Sequence, residues 1–308
     1  MILQFIYFIC SILLLWKGSE WIVDSGSSLA KKLGLSELII GLTIIAFGTS
    51  APEFAVTISA ALEGNGDISV GNIIGSNIFN IGFILGLTCL IKPITTSMNV
   101  IKRDGLFLLF SSLLVAIFLN SNTFEIYESI IMVLALVLYM IVLFFQKQTI
   151  EEHKVDNSHN SFLTILFLLF GFISIFLGGE LLINSSVYFA KIFGLSDWVI
   201  SVTIIAAGTS APELFASLTA IKYAKHGMAI GALLGSDIYN LLGVLGIAGI
   251  INPNITIDGE AMTSIVYLIF TITMVIIFMR TNFKISRSEG FILLLISIYR
   301  WYSLFITY

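Results

Sequence analysis

Charged residues are scarce. Asp, Glu, Lys and Arg make up 11% of the 308-residue chain, whereas a soluble domain carries about 25%. A large core does not explain the deficit, because a larger protein still has a surface to wet. With 57% hydrophobic residues and a mean hydropathy of +1.02, the chain reads as a polytopic membrane protein with no room for a second soluble domain. Cysteine is nearly absent as well. Cys10 and Cys89 sit in apolar stretches and read as small buried or lipid-facing hydrophobes rather than as a disulfide or thiolate centre. The three histidines, His153, His159 and His226, lie in polar connections without metal-ligand spacing. The stretch Met1–Trp16 is apolar but lacks a basic n-region and a small-x-small cleavage site, so it is expected to stay in the mature protein. The net charge of −4 matters less than the side on which the cations lie.

What the chain does have is hydrophobic runs of membrane-spanning length, about 20 residues each. Ten spans are predicted, near 2–24, 37–62, 69–91, 104–120, 124–146, 161–183, 198–221, 228–251, 261–279 and 289–307. The polar segment 147–160 divides them into two halves, 1–146 and 161–308. Five spans per half force the halves to insert in opposite directions. Twelve of the 15 Lys and Arg residues, from Lys31 and Lys32 through Lys102, Arg103, Lys222 and Lys225 to Arg287, fall in connections after odd-numbered spans. The positive-inside rule therefore puts the 147–160 linker in the cytoplasm and both termini outside.

The halves repeat each other in sequence. Residues 41–53 read GLTIIAFGTSAPE and 201–213 read SVTIIAAGTSAPE; VGNIIGSNIFN ends at Asn80 and IGALLGSDIYN at Asn240. The offset is constant (213 − 53 = 160, 240 − 80 = 160, 253 − 93 = 160). Gly18, Glu20, Lys31 and Gly34 likewise recur as Gly178, Glu180, Lys191 and Gly194. Repeats in oppositely oriented halves are the mark of a secondary transporter with a site near the midplane.

Pro52 and Pro212 interrupt two apolar spans. Each lacks an N–H and restrains the residue before it, Ala51 or Ala211, away from helical geometry. Broken helices 2 and 7 are expected, with bare carbonyls at Ala46, Thr49, Ala206 and Thr209, tolerated at that depth only where they line a cavity. Each break is followed by a carboxylate, Glu53 or Glu213, in a region without basic residues. Two such acids would repel and take up protons unless a cation neutralised them. Their joint charge matches one Ca2+, which takes six to eight oxygens. The hydroxyls of Thr49, Ser50, Ser76, Thr209, Ser210 and Ser236 and the amides of Asn80 and Asn240 add neutral oxygens. Ser76 and Asn80, and Ser236 and Asn240, are spaced i, i+4 and share a helical face. Gly71, Gly75, Gly82, Gly86, Gly231, Gly235, Gly243 and Gly246 suit close helix packing, and Glu20 and Glu180 suit a structural or vestibule role.

These two motifs, GTSAPE at 48–53 and 208–213 with GSNIFN at 75–80 and GSDIYN at 235–240, resemble the alpha-repeats of the cation/calcium exchanger superfamily, most closely its prokaryotic sodium/calcium exchangers. The resemblance covers nearly the whole chain. It implies an all-α fold of ten transmembrane helices in two inverted-topology five-helix repeats, with four ion sites between helices 2, 3, 7 and 8. Ca2+ would be held by Glu53, Glu213 and the carbonyls of Thr49 and Thr209. Na+ would share the glutamates and use Ser50, Ser76, Ser210, Ser236 and the carbonyls of Ala46 and Ala206, with Asn80 and Asn240 completing the middle position. Helices 1 and 6 would slide across the remainder. The chain departs from the pattern at Asn240, where archaeal and potassium-dependent relatives have Asp, and at Asp237, where Asn is usual. Asn240 favours an exchanger without a K+ requirement. Asp237 either borders the ion cavity, at i, i+3 from Asn240, or caps the break in span 8 or faces water in a vestibule.

The expected function is electrogenic Na+/Ca2+ antiport by alternating access in the cell membrane. No enzymatic activity, cofactor, nucleic acid or obligate protein partner is expected, and the linker is too short for regulatory calcium-binding domains. A proton/calcium antiporter resembles a GNxxE pattern at the acidic helix, where this chain has TSAPE. A K+-dependent Na+/Ca2+ antiporter is a further variant. A passive cation channel is the alternative from another class, disfavoured because an inverted repeat with a midplane site suits alternating access.

Overall fold

A computed structural model of the chain describes residues 1–120, 123–145, 161–193, 206–253, 255–256 and 260–307. The 147–160 linker with His153 and His159, the start of the seventh span at 198–205, and Gly194, Asp197 and Asp258 lie outside the described residues. The fold is helical. In chain order, α1 is Ile2–Leu33, α2 Glu37–Thr49, α3 Ala51–Leu62 and α4 Gly66–Ile91. Next, α5 is π-wound over Val100–Gly105 and α-helical over Leu106–Leu119, and α6 is Ile126–Phe145. The second half holds α7 (Ser161–Ile192), α8 (Ala206–Thr209), α9 (Ala211–Lys222), α10 (His226–Ile251), α11 (Glu260–Arg280) and α12 (Arg287–Thr307). Six of these helices, among the described residues, are individually long and apolar enough to cross a membrane, and the bent pair α2–α3 makes seven. The described residues of the remaining predicted spans are helical too, as α5, α8–α9 and α12.

α1 and α7 are longer than the sequence reading, which ended the first and sixth spans near residues 24 and 183. α1 continues to Leu33, about 48 Å of helix at 1.5 Å per residue. Its small polar end, with Ser25, Gly26, Ser27 and Ala30 buried, packs against protein rather than lipid, so apolarity is a poor guide to where it stops. Lys31 and Lys32 lie in its last turn, and Gly34, at φ 64°, closes it with a left-handed cap. α1 lies against α7 backbone to backbone. A Cβ on Gly18 would come within 2.9 Å of the Gly171 carbonyl oxygen, and one on Gly178 within 3.1 Å of the Leu15 nitrogen. Gly231 and Gly235 do the same for α10 against α2, where a Cβ would come within 2.6 Å of the Leu38 oxygen and 2.7 Å of the Leu42 oxygen. Gly71 and Gly75 meet no described neighbour within 4 Å; the repeat counterparts of Leu38 and Leu42 fall at 198 and 202, outside the described residues.

The two halves exchange contacts in matched pairs. Strand β1 (Ile94–Thr95) pairs with β4 (Lys284–Ile285), and β2 (Thr123–Phe124) with β3 (Ile255–Thr256), both antiparallel. A shift of 161 residues carries Ile94 to Ile255 and Phe124 to Ile285, so the register Ile94↔Ile285 maps onto Phe124↔Ile255. The π-wound turns Phe79–Ile84 and Tyr239–Val244 also correspond, at 160. Contacts between connections keep to one parity. Lys225, after the seventh span, bonds Glu37 at the start of the second (2.5 Å), and Arg287, after the ninth, donates to the Ile91 oxygen at the end of the third (3.2 Å). On the other face Asn252, after the eighth, donates to the Ala61 oxygen at the end of the second (2.8 Å).

Candidate functional site

The site grows from the two helix breaks. α2 and α3 meet at 47°, and the bend falls on Ser50 (φ −78°, ψ 6°), with Ser210 equivalent at φ −87°, ψ 7°. The expectation that Ala51 and Ala211 would leave helical geometry is corrected. Both residues open the following helix, which puts Pro52 and Pro212 in a first turn where a missing N–H leaves no bond unmade. The expected bare carbonyl at Ala46 is corrected too. Because the chain re-enters a helix at once, the Ser50 N–H reaches the Ala46 oxygen at 3.1 Å, and the Thr49 hydroxyl donates to it at 3.3 Å.

Glu53 and Glu213 each lie in the first turn of the resumed helix, α3 or α9, where the helix dipole favours an acid. Both are fully buried, as are Thr49, Ser76, Asn80, Thr209, Ser210, Ser236, Asp237 and Asn240, and Ser50 is 3% exposed. The acids are held crosswise between the halves. Ser210 donates to Glu53 Oε1 at 2.9 Å, and Ser50 approaches Glu213 Oε1 at 3.4 Å. Ser236 donates to Glu213 Oε1 at 3.0 Å, Ser50 and Ser236 share a bond of 2.7 Å, and Ser76 stands 3.5 Å from the Thr209 hydroxyl. Ala46 is buried in α2, and Ala206 opens α8.

Asp237 is brought in, and the vestibule alternative for it is overturned: it is fully buried, with Oδ1 accepting the Asn80 amide at 3.0 Å. Sequence reasoning missed Asn77 and Asn72. Asn77 takes the Asn240 amide on its Oδ1 at 3.1 Å and donates its own to the Asp237 carbonyl at 3.0 Å. Asn72 donates to the Glu53 carbonyl at 3.3 Å and to the Thr57 hydroxyl at 3.0 Å. For Asn77 the signal was present, since it is the repeat counterpart of the singled-out Asp237.

Donors run out before acceptors do. Glu53 Oε2, Glu213 Oε2, Asp237 Oδ2, Asn80 Oδ1 and Asn240 Oδ1 are all buried oxygens with no hydrogen-bond donor. Each costs about 1–3 kcal/mol if left so, and more where it is charged. Among the described residues no three His, Cys, Asp or Glu side chains group as a metal site. The arrangement instead combines a few carboxylates with hydroxyls and amide oxygens, which is chemistry for a hard cation. α7 covers both breaks. A Cβ on Gly48 would collide with the Phe172 ring, and one on Gly208 with the Ile183 side chain.

Comparison with known proteins agrees with this picture. The sodium/calcium exchanger protein family matches residues 3–145 and 163–308. CaxA of Alkalimonas amylolytica is 35% identical over 307 residues, covering 96% of each chain. The sodium/calcium exchanger MaX1 of Methanosarcina acetivorans is 30% identical over 95% of each. Among solved structures, the sodium-calcium exchanger NCX_Mj superposes with a TM-score of 0.86 at 30% identity, covering 97% of this chain and 98% of its own.

Proposed function

The chain belongs to the sodium/calcium exchanger protein family, and from that premise we propose that it is a secondary active antiporter exchanging Na+ for Ca2+ by alternating access. The observation that carries this reading is the set of four donorless buried oxygens on Glu53, Glu213, Asn80 and Asn240. Ca2+ seeks six to eight oxygens, and the two glutamates supply the matching charge. Thr49 and Thr209, with the hydroxyls of Ser50, Ser76, Ser210 and Ser236 and the carbonyl of Ala206, complete the shells for Ca2+ and for Na+. MaX1 and NCX_Mj carry sodium and calcium in their names, which supports Na+ as the counter-ion. In this reading exchange is electrogenic.

The architecture we infer is ten spans in two inverted five-helix repeats, 1–146 and 161–308, joined by the cytoplasmic linker 147–160, with both termini outside a cell membrane. The parity of the contacts between connections supports it. α1 and α7, packed together over the two breaks, are the elements that would move as access alternates.

The test is 45Ca2+ uptake into proteoliposomes. An outward Na+ gradient drives saturable uptake if the reading is right. Uptake that follows a pH gradient alone would replace it with proton/calcium antiport, and uptake needing no counter-gradient would replace it with a channel.

A further inference from the structure

We propose that Asp237 is a positioning residue that turns both site amides, Asn80 and Asn240, so that oxygen rather than nitrogen faces the ion. The inference rests on the site reading above and deepens it. A carboxamide has two ends of nearly equal shape and opposite polarity: the oxygen can ligate a cation, and the NH2 repels it. Which end faces the site is decided by what the other end bonds.

For Asn80 the partner is the Asp237 carboxylate, 3.0 Å from Nδ2, with the Ser236 hydroxyl at 3.4 Å from the same nitrogen. The Asp237 Oδ1 is an acceptor, so it takes the NH2 end of Asn80 and leaves the Asn80 Oδ1 free of donors. For Asn240 the control is relayed. Its Nδ2 donates to Asn77 Oδ1 at 3.1 Å, and Asn77 could present either of its own ends. The Asn77 Nδ2, however, donates to the backbone carbonyl of Asp237 at 3.0 Å, another group that only accepts. This fixes Asn77, which fixes Asn240, and the Asn240 Oδ1 is again buried without a donor. Position 237 thus bears on both amides, on Asn80 through the Asp237 side chain and on Asn240 at one remove through a backbone carbonyl that any residue there would supply. All the residues concerned are fully buried, so water does not compete for these bonds.

The repeat supplies the control. Asn77 is the counterpart of Asp237, so an Asn at 237 would have the Asn77 carbonyl as the equivalent anchor for its own NH2, leaving its oxygen to accept from Asn80. Orientation would survive in Asp237→Asn and be lost in Asp237→Leu. Loss of an outer-shell partner costs about 10- to 100-fold in metal affinity. Na+-driven 45Ca2+ uptake by the purified full chain should therefore show the Ca2+ KM raised by about that factor in Asp237→Leu, with the maximal rate changed less than about threefold. Asp237→Asn should keep its KM at least about tenfold below that of Asp237→Leu. In a double-mutant cycle, Asp237→Leu should add nothing to Asn80→Leu. If Asp237→Leu does not fold, Asn77→Leu paired with Asn240→Leu tests the relayed arm in the same way. Additive losses, or a loss in Asp237→Asn equal to that in Asp237→Leu, would overturn the proposal. So would an altered Na+ or K+ dependence in Asp237→Asn, since charge rather than orientation would then be acting. Glu53→Gln separates the two levels: if it exchanges normally the site reading itself has failed, and if it is dead while the cycle is additive only the positioning role has.

Discussion

Glu213→Gln changes one atom of the site and should push stability and transport in opposite directions. In the wild-type chain Glu213 Oε1 is held by Ser236 at 3.0 Å, while Oε2 is buried with no donor. Glutamine keeps the first contact and replaces the second oxygen by an NH2. That group enters a site where Glu53 Oε2, Asn80 Oδ1 and Asn240 Oδ1 also lack donors. A new buried hydrogen bond is worth about 1 kcal/mol net, and removal of one of two like charges adds to it. In the absence of Ca2+ the variant should be more stable than the wild type by about 1–3 kcal/mol. At about 2 °C per kcal/mol for a chain of this size, its Tm should rise by about 2–6 °C.

With Ca2+ the wild type recovers most or all of that gap. A ligand at 100 times its Kd stabilises the protein that binds it by about 2.7 kcal/mol, or about 5 °C on the same scale, and the variant should gain almost nothing. Unfolding of the detergent-solubilised protein, followed by tryptophan fluorescence in chelator and in saturating Ca2+, reads both effects. Uptake of 45Ca2+ under a Na+ gradient, measured in parallel, should fall to background. A variant less stable than the wild type in chelator would refute the claim that Oε2 lacks a donor because a cation serves it. A Ca2+-induced shift as large as that of the wild type would remove Glu213 from the ion site.

Two further outcomes test the frame around the site. α1 is tied to the end of α9 by Ser19 with Thr219 (2.7 Å), Glu20 with Lys222 (3.0 Å) and Ser27 with Lys225 (2.8 Å). Exposed ion pairs are worth about 0.2–1 kcal/mol each, so Lys222→Gln with Lys225→Gln should speed thiol labelling of a buried Ser25→Cys, in a Cys10→Ser background, by about two- to thirtyfold; an unchanged rate would exclude the tie. Gly231→Ala should lower the Tm more than Gly64→Ala. The first drives a Cβ to 2.6 Å from the Leu38 backbone, whereas the second costs only the strain of φ 78° in open space. The reverse order would show that α10 and α2 do not cross as closely as the backbone contacts indicate.

Much of the site is legible in the residues because its chemistry is carried by identity and spacing. A carboxylate after a proline in an apolar run has few other meanings, and a second copy in register removes the rest. Asn77 was less legible because its neighbour Ser76 and the i, i+4 partner Asn80 already accounted for that face. Its side chain acts only through partners on the other half of the molecule, the Asn240 amide and the Asp237 carbonyl. The π-wound turns at Phe79–Ile84 and Tyr239–Val244 leave no trace in hydrophobic pattern, since apart from Asn80 and Asn240 a wider turn there meets only apolar residues and glycine. The true end of α1 was hidden for the opposite reason. A span is recognised by its apolarity, and the last third of α1 opens with small residues, Ser25, Gly26 and Ser27, that are buried against protein. Ala46 marks the limit of proline reasoning. The residue type foretells a bend, and only the backbone angles at Ser50 tell whether a neighbouring N–H still reaches the carbonyl.

The centre of the molecule is nearly two-fold and its rim is not, and the difference bears on direction. Ser50 with Glu213 answers Ser210 with Glu53, Asn80 with Asp237 answers Asn240 with Asn77, and β1 with β4 answers β2 with β3. On the proposed function, a site built this way would offer much the same oxygens to either face, so its ligand chemistry alone would give an ion little reason to prefer one exit. Any preference must come from the places where the repeat fails. One is the tie between α1 and α9. Lys222 and Lys225 have as their counterparts Leu62 and Asn65, neither of which can neutralise an acid, and Glu180, the counterpart of the paired Glu20, is exposed. Among the described residues, the pairs of Glu20 with Lys222 and Glu37 with Lys225 therefore have no counterpart at Leu62 and Asn65. On the proposed function, opening the face at α1's end would break these pairs first, at a cost that falls with added salt.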